Sequence, residues 1–254
     1  MFERDWTSEY YEILEFYFWE PQHLGRAKSS KCRYATPVEA LKHVQKMEVS
    51  LNHMLNLFFR LAPSEVLLHL IADTTGNRAQ SAMHLLSRQE VSAFCQLVQP
   101  DLMFQGDSMN FSIEMKLNAK SSLEQAWKYA LLHTLADMHN GKDRASYLMF
   151  LGKGKFSSLW KENIKSPSEL YGFLRNAKLE KFQRKAEAVE NISIDWKRVK
   201  ETLEKTSILY WNYQTLKLFL KEFTEPLVNA SGAEQTFVHL INGLLAEIER
   251  RKLA

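Results

Sequence analysis

An α/β fold is predicted by three patterns in the sequence. Residues 41–58 carry apolar side chains at helical spacing, which predicts a long helix. Residues 91–116 change to strand-like patterns around Gly106-Asp107-Ser108, which is a turn signal. A helix start at residues 121–124 and a short apolar segment at residues 145–151 follow. The resulting order of helix, three strands, helix and strand predicts a sheet with one crossover connection.

The elements before the sheet are predicted to be helical. The aromatic-rich residues 9–19 form an amphipathic pattern that ends before Pro21. Residues 36–39 supply a threonine cap, a proline at the first helical position and a glutamate at the third. The long helix is therefore expected to start there and to end at Pro63. Residues 64–72 have the pattern of another short helix.

Three strands and a helix are predicted in the middle of the chain. Residues 91–98 are apolar and rich in β-favouring side chains, which predicts the first strand. Residues 101–105 and 109–116 flank the turn and predict a β-hairpin. The helix that starts near residue 121 is expected to end at Asn140-Gly141.

The chain is predicted to have three segments. These are an N-terminal helical segment at residues 1–36, an α/β core at residues 37–152 and an α-helical accessory region at residues 153–254. Helical spacing beyond Gly154 predicts four or five helices and no strand. Residues 208–223 are dense in Tyr, Trp, Leu and Phe, which favours core packing over a platform for stacking bases.

Composition argues against several classes of protein. With 254 residues, of which 45% are hydrophobic and 25% charged, the chain can bury a globular core. Two cysteines, Cys32 and Cys95, stand far apart, so neither a disulfide framework nor a zinc ribbon is expected. No apolar run reaches the roughly 18 residues of a membrane helix, and the N-terminus lacks a signal-peptide pattern. We therefore expect a cytoplasmic protein without a membrane partner.

Positive charge is concentrated in the second part of the chain. Residues 1–152 contain 15 Lys and Arg against 17 Asp and Glu, whereas residues 153–254 contain 18 against 13. Nine cations at residues 153–185 are candidates for binding the phosphate backbone of nucleic acid, with a solvated helix face as the alternative. They are Lys153, Lys155, Lys161, Lys165, Arg175, Lys178, Lys181, Arg184 and Lys185, and the last four are predicted to be the nucleic-acid-binding residues. Gly152-Lys153-Gly154-Lys155 lacks the G-x-x-x-x-G-K-[ST] spacing of a phosphate loop and is interpreted as a basic turn.

Two carboxylates and a lysine are predicted to converge at the hairpin. Side chains alternate across a strand, so Ser112, Glu114 and Lys116 share one face of the second hairpin strand. Asp101 begins the partner strand and brings a second carboxylate near them. Two oxygen ligands beside a lysine suit Mg²⁺-dependent hydrolysis of phosphodiester bonds. The alternative is a solvent-facing strand edge with a salt bridge.

This constellation resembles the PD-(D/E)xK motif of restriction-endonuclease-like nucleases. Gln99-Pro100-Asp101-Leu102 corresponds to the first half of the motif, and Glu114-Met115-Lys116 corresponds to the second. Twelve residues separate Asp101 from Glu114. The resemblance covers about residues 38–151 and implies an αβββαβ core, here followed by the C-terminal α-helical region.

The resemblance also implies further site residues. Several members of the superfamily carry a Gln and a Tyr on the helix after the (D/E)xK strand. Gln125 and Tyr129 stand there, four residues apart and on one helical face, although core packing is the expected role of Tyr129. The first core helix usually contributes another acid, which by position would be Glu48, with Glu39 the weaker candidate.

The activity implied is that of a nuclease that uses Mg²⁺ or Mn²⁺. Asp101, Glu114 and Glu48 would be metal ligands, and Lys116 and Gln125 would act in catalysis together with the two motif acids. DNA is favoured over RNA by the resemblance alone. A homodimer would provide the second site that cutting both strands of a duplex requires.

Two functions of other classes stay open at this point. One is a catalytically inactive module that keeps the nuclease fold and binds nucleic acid or protein. The intact set of two acids and a lysine argues against it. The other is an all-helical interaction protein in which the hairpin is incidental, and negligible strand content would favour it.

Overall fold

The structure is a computed structural model that describes residues 5–19, 42, 44–76, 82–117, 119–224 and 232–254. The chain divides into two compact units, one formed by Met1–Ala62 with Gln214–Ala254 and the other by Pro63–Tyr213. The three segments expected from the sequence stay a prediction. The expected helix start at residues 36–39 and Cys32 lie outside the described residues.

The described residues form ten α-helices, five β-strands and one 3-10 helix at Phe156–Leu159. The helices are α1 (Trp6–Trp19), α2 (Glu48–Leu61), α3 (Ser64–Thr75), α4 (Arg88–Phe94), α5 (Leu123–Asn140), α6 (Pro167–Arg175), α7 (Glu180–Glu190), α8 (Trp196–Lys205), α9 (Tyr213–Glu222) and α10 (Ala233–Arg250). The strands are β1 (His84–Leu85), β2 (Leu102–Gln105), β3 (Met109–Lys116), β4 (Ala145–Gly152) and β5 (Ser207–Asn212). The helices predicted at residues 9–19 and 64–72 are confirmed as α1 and α3. The prediction of one long helix is wrong at residues 45–47, where the chain forms a turn and Met47 is extended, so its second part is the separate helix α2.

In the first unit, α1 and α2 both pack against α10. Trp6 lies over Gly243, where an added Cβ would come within 2.1 Å of the indole nitrogen, so only glycine allows this approach. Glu247 is fully buried and is bonded by Tyr11 and by the two arginines at the end of α10. A buried charge needs such partners, and these partners join α1 to α10.

The second unit is built around one mixed sheet with the strand order β1-β2-β3-β4-β5. The strands β1, β2 and β3 are antiparallel neighbours, whereas β3, β4 and β5 run parallel. Helix α5 makes the crossover connection that the parallel neighbours β3 and β4 require. The predicted hairpin, the helix after it and the following strand are confirmed. The sheet contradicts the all-helical interpretation.

The strand predicted at residues 91–98 is wrong, because helix α4 occupies the first half of this segment. A capping box begins the helix: Ser87 Oγ accepts the N–H of Glu90, and the Glu90 carboxylate accepts the N–H of Ser87. The box satisfies donors that a helix end otherwise leaves unbonded, so it outweighs the β-favouring side chains. The first strand of the sheet is instead the two-residue β1.

The expectation of no strand beyond Gly154 is also wrong. Strand β5 pairs in parallel with β4 from Tyr147↔Ser207 to Gly152↔Asn212. Its apolar run is short and continues directly into α9, so local spacing alone could not separate a strand from a helix. The helical part of residues 208–223 confirms core packing, since Tyr213, Leu216, Phe219 and Leu220 are buried.

Helix α5 lies in the apolar core of the second unit. One cluster of buried side chains joins Leu132 of α5 to Phe150 of β4, Leu174 of α6 and Leu203 of α8. Each such side chain stabilises the fold by roughly 1.5–3 kcal/mol relative to an exposed position. Because α5 is covered by the sheet and by helices, the polar side chains that it directs at β3 are held in place as well.

The helices of the described residues were compared with the length and hydropathy of a membrane-spanning helix. No single helix in the described part of the chain combines the length and the hydropathy needed to cross a bilayer. Helices α2 and α3 meet both conditions only when they are taken together as a broken pair. The cytoplasmic location stays a prediction.

Candidate active site

The strand register brings Asp101 to Glu114. In the hairpin, Leu102 pairs with Ile113, so the next position on each strand places Asp101 opposite Glu114. Asp101 Oδ2 accepts a hydrogen bond from the backbone N–H of Met115 at 2.7 Å. The Asp101 carboxylate therefore contacts β3 between Glu114 and Lys116, where the hairpin pattern predicts it.

Glu114 is a buried carboxylate with two partners. Its side chain lies near the end of the central strand β3, and the residue is only 4% exposed. Oε1 lies 2.6 Å from the ammonium of Lys116, and Oε2 accepts a hydrogen bond from the Tyr129 hydroxyl at 2.5 Å. A buried carboxylate is stable in its charged form when it has a cation and a donor beside it.

Tyr129 links both acids to helix α5. Burial raises the pKa of its hydroxyl well above the ordinary value, and the charges of Glu114 and Asp101 raise that pKa further. The hydroxyl therefore stays protonated and acts as a donor. Tyr129 is fully buried, which confirms its predicted place in the core. Its contact with Glu114 was not expected from the residue itself, and the only signal was its spacing of four from Gln125.

The polar face of β3 is covered by α5 in a regular series of contacts. Asn110 donates to Asp137 at 2.9 Å, and the Ser112 hydroxyl and His133 Nε2 are hydrogen-bonded at 2.8 Å. Positions two apart on the strand thus meet positions four apart on the helix, and the series ends at Tyr129 with Glu114. The alternative of a solvent-facing strand edge is wrong, because β3 lies between β2 and β4 and this face is buried.

His133 and Asp137 form the part of this buried series that lies farther along α5 from Tyr129. His133 Nδ1 is 3.2 Å from the Ser146 hydroxyl, so each ring nitrogen has a serine partner. Burial lowers the pKa of His133 to about 4, although the nearby Asp137 charge opposes this effect. Asp137 itself forms a buried ion pair with Arg144 at 2.9 Å. The series therefore joins the candidate site to the opposite end of β3 through satisfied hydrogen bonds.

The charges at the candidate site leave a negative excess. Asp101 and Glu114 contribute two carboxylates and Lys116 one ammonium, so these three side chains carry a net charge of −1 at neutral pH. In the described ranges, no group of three or more His, Cys, Asp or Glu side chains lies close enough to hold a metal ion. Hard divalent cations commonly keep several waters and bind one or two carboxylates. The two carboxylates of Asp101 and Glu114 match that number.

Gln125 and Glu48 take different places. Gln125 is half-buried in the first turn of α5, one helical turn before Tyr129. Glu48 is the first residue of α2 and belongs to the first unit. In the second unit the helix that precedes β1 is α3, and its acids Glu65 and Asp73 are exposed. The catalytic role of Gln125 and the ligand role of Glu48 stay predictions.

Four of the candidate cations for phosphate binding lie on helix α7 or just before it. Lys181, Arg184 and Lys185 lie on α7 at a spacing that puts them on its exposed side, whereas Phe182 and Ala186 face the core. Lys178 precedes the helix and is also exposed. Their exposure fits either the phosphate-binding interpretation or a solvated helix face.

Comparisons with protein-family models, with curated proteins and with solved structures found no match.

Proposed function

We propose that this protein is a metal-dependent nuclease of the PD-(D/E)xK class that hydrolyses phosphodiester bonds in nucleic acid, with DNA preferred. The observation that carries the proposal is the convergence of Asp101, Glu114 and Lys116 at the end of one hairpin, with Tyr129 behind them. The element order α3, β1, β2, β3, α5, β4 supports it, since this order follows an αβββαβ core with α4 inserted and β5 added.

The donor set of the site fits a hard divalent cation. Two carboxylates and a net charge of −1 suit Mg²⁺ or Mn²⁺, and Asp101 and Glu114 would hold the ion. When bound, such an ion polarises the scissile phosphate and lowers the pKa of a bound water. Lys116 lies beside Glu114, where its ammonium can stabilise the negative charge that develops on the phosphate. Tyr129 orients Glu114 by donating to its Oε2.

The rival proposal is an inactive module that uses the same fold to bind nucleic acid or protein. It needs no lysine next to the paired acids and no acidic centre, because a polyanion is bound by cations. The arrangement of Asp101, Glu114 and Lys116 favours the nuclease for this reason. A cleavage assay with plasmid, linear duplex, single-stranded DNA and RNA, each with Mg²⁺ or Mn²⁺, distinguishes the two.

Metal binding is the first measurement that tests the site. Calorimetry should detect binding of Mg²⁺ or Mn²⁺ to the wild-type protein, and Asp101→Ala and Glu114→Ala should each weaken it, since each removes one of two carboxylate ligands. Asp107→Ala is the matched control, because Asp107 is an exposed acid in the turn of the same hairpin. Equal affinities for all four proteins would remove the metal site.

The basic residues around α7 are tested by the salt dependence of binding. Replacing Lys178, Lys181, Arg184 and Lys185 with alanine should reduce the slope of log affinity against log salt by roughly one unit for each phosphate that is no longer neutralised. Helix α8 offers a control with the same reduction in charge, in which its four cations are replaced. They are Lys197, Arg198, Lys200 and Lys205. Equal slopes for the two variants would assign the α7 residues to ordinary solvated surface.

A further inference from the structure

The basic turn after β4 lies at the same edge of the sheet as the candidate active site. The parallel register pairs Lys116 with Gly152 and Gly152 with Asn212, so β3, β4 and β5 end in one row. Neighbouring strands are about 4.8 Å apart, and consecutive Cα atoms are about 3.8 Å apart. The Cα of Lys153 is therefore within about 9 Å of the Cα of Lys116.

The conformation of this turn, residues 152–155, is fixed by hydrogen bonds to its carbonyl groups. Tyr210 of β5 donates its hydroxyl to the carbonyl of Gly154 at 2.6 Å. The Ser158 hydroxyl lies 3.1 Å from the carbonyl of Lys153 and 2.6 Å from that of Lys155. Gly154 has a backbone φ of +83°, which residues that carry a side chain rarely adopt. The carbonyls of three successive residues are thus bonded to the protein.

Apolar contacts of the residues that follow the turn fix its position on the sheet. Phe156 is buried, and its ring lies 5.6 Å from that of Tyr210 and 5.7 Å from that of Trp160. A Cβ at Gly152 would come within 2.4 Å of the Leu159 side chain, so the 3-10 helix packs directly on the end of β4. The turn is therefore packed in one place at the end of β4.

The lysines of the turn are exposed cations. Lys153 and Lys155 are both exposed, and neither has an ion-pair partner within the part of the chain that the structure describes. The site beside them carries a net charge of −1 from Asp101, Glu114 and Lys116. Exposed cations at the rim of the site attract a polyanionic strand and raise its local concentration there, whether or not the two acids hold a metal ion.

We propose that Lys153 and Lys155 bind the phosphodiester backbone of the nucleic-acid strand directly beside the bond that is cut. This inference rests on the proposed nuclease function and adds a substrate-binding subsite to it. Each lysine acts as a point charge on a fixed turn, and each neutralised phosphate releases counterions from the strand. The turn contacts backbone and no base, so the subsite is independent of sequence.

The experiment measures binding of labelled duplex and single-stranded DNA in EDTA, so that no cleavage occurs. The variant Lys153→Ala/Lys155→Ala should lower the salt slope by about 2 for duplex and reduce affinity on the order of tenfold or more near 0.1 M salt. The variant Lys153→Arg/Lys155→Arg keeps both charges and should bind close to wild type. Circular dichroism of each variant checks that the fold is retained.

A control variant separates this subsite from a general reduction in charge. Lys197 and Lys205 are exposed and, with Ser146 near the start of β4, line a cavity of about 360 Å³ at the opposite edge of the sheet. The variant Lys197→Ala/Lys205→Ala should keep the wild-type slope. If it weakens binding as much as the turn variant does, or if the turn variant binds like wild type, the subsite is overturned.

The outcome for the subsite is distinguishable from the outcome for the nuclease. A protein that binds DNA through Lys153 and Lys155 but cuts none of the substrates overturns the catalytic proposal and leaves the subsite standing. A protein that cuts, and whose turn variant has unchanged binding and an unchanged KM, overturns the subsite alone. A wild-type protein that binds no nucleic acid in any form overturns both.

Discussion

Replacing Lys116 with alanine should lower the turnover number by on the order of 10²-fold or more while leaving nucleic-acid binding close to wild type. The ammonium of Lys116 lies 2.6 Å from Glu114, at the end of β3 where the two acids meet. There it can stabilise charge that develops on the phosphate during bond cleavage. An interaction made mainly in the transition state contributes to rate and little to ground-state affinity. Single-turnover cleavage and binding in EDTA measure the two quantities separately.

A matched control and a rescue variant make this result specific. Lys128→Ala removes a lysine of α5 that pairs with Glu124 at 3.1 Å, so it breaks a more exposed lysine–glutamate ion pair that includes neither Asp101 nor Glu114 and should cut like wild type. Lys116→Arg restores the charge beside Glu114. If Lys116→Arg recovers rate that Lys116→Ala loses, and all three proteins have the same thermal stability, the defect of Lys116→Ala is the loss of a charge and not a loss of fold. The catalytic assignment fails if Lys116→Ala cuts as fast as wild type.

The hairpin at the site could be predicted because its determinants are local. The two-residue period placed Glu114 and Lys116 on one face, and the turn at Gly106-Asp107-Ser108 fixed which residues pair. Asp101 follows from the same register, since it is the residue before the first paired position, Leu102. The convergence of these side chains therefore depends on a stretch of fewer than 20 residues, over which spacing is informative.

The strand β5 could not be predicted in the same way. Its partner β4 lies far from it in sequence, and parallel strands share no turn that would signal the pairing. Ser207–Asn212 is a short apolar run that joins α9 directly, so its local pattern fits both a strand and a helix start. By contrast, the start of helix α4 has a local signal, because Ser87 and Glu90 have the spacing of a capping box.

Burial of the polar face of β3 also required the tertiary structure. Serine and aspartate, the residue types of Ser112 and Asp137, occur mostly at surfaces, and histidine, the type of His133, is intermediate. The sequence predicts the crossover by α5, but only the structure shows which side chains of α5 and β3 meet and that they satisfy one another. The same crossing places the Tyr129 hydroxyl against Glu114. The candidate site was thus predicted as a set of strand residues, and its helical support became visible only in the structure.

His133 should make the stability of the protein fall as the solution is acidified from about pH 6.5 to about pH 4. Burial lowers the pKa of His133 from 6.5 to about 4 in the folded state. Between these values the unfolded chain binds a proton that the folded chain does not, so acid favours unfolding. The stability that the protein has while His133 is neutral in both states is fully present above pH 6.5 and is lost as pH falls toward 4. A difference of 2 to 3 pKa units corresponds to about 3 kcal/mol.

The measurement is the free energy of unfolding in urea at several pH values across this range, for wild type and for His133→Gln. The variant should be less stable at pH 7, because the hydroxyls of Ser112 and Ser146 lose their imidazole partner. Its stability should also depend less on pH, by about 3 kcal/mol between the two ends of the range. His84→Gln replaces an exposed histidine of β1 and should keep the wild-type slope. Parallel curves for wild type and His133→Gln would show that His133 takes up its proton at the same pH in the folded and the unfolded protein, and the lowered pKa of this buried imidazole would then be wrong.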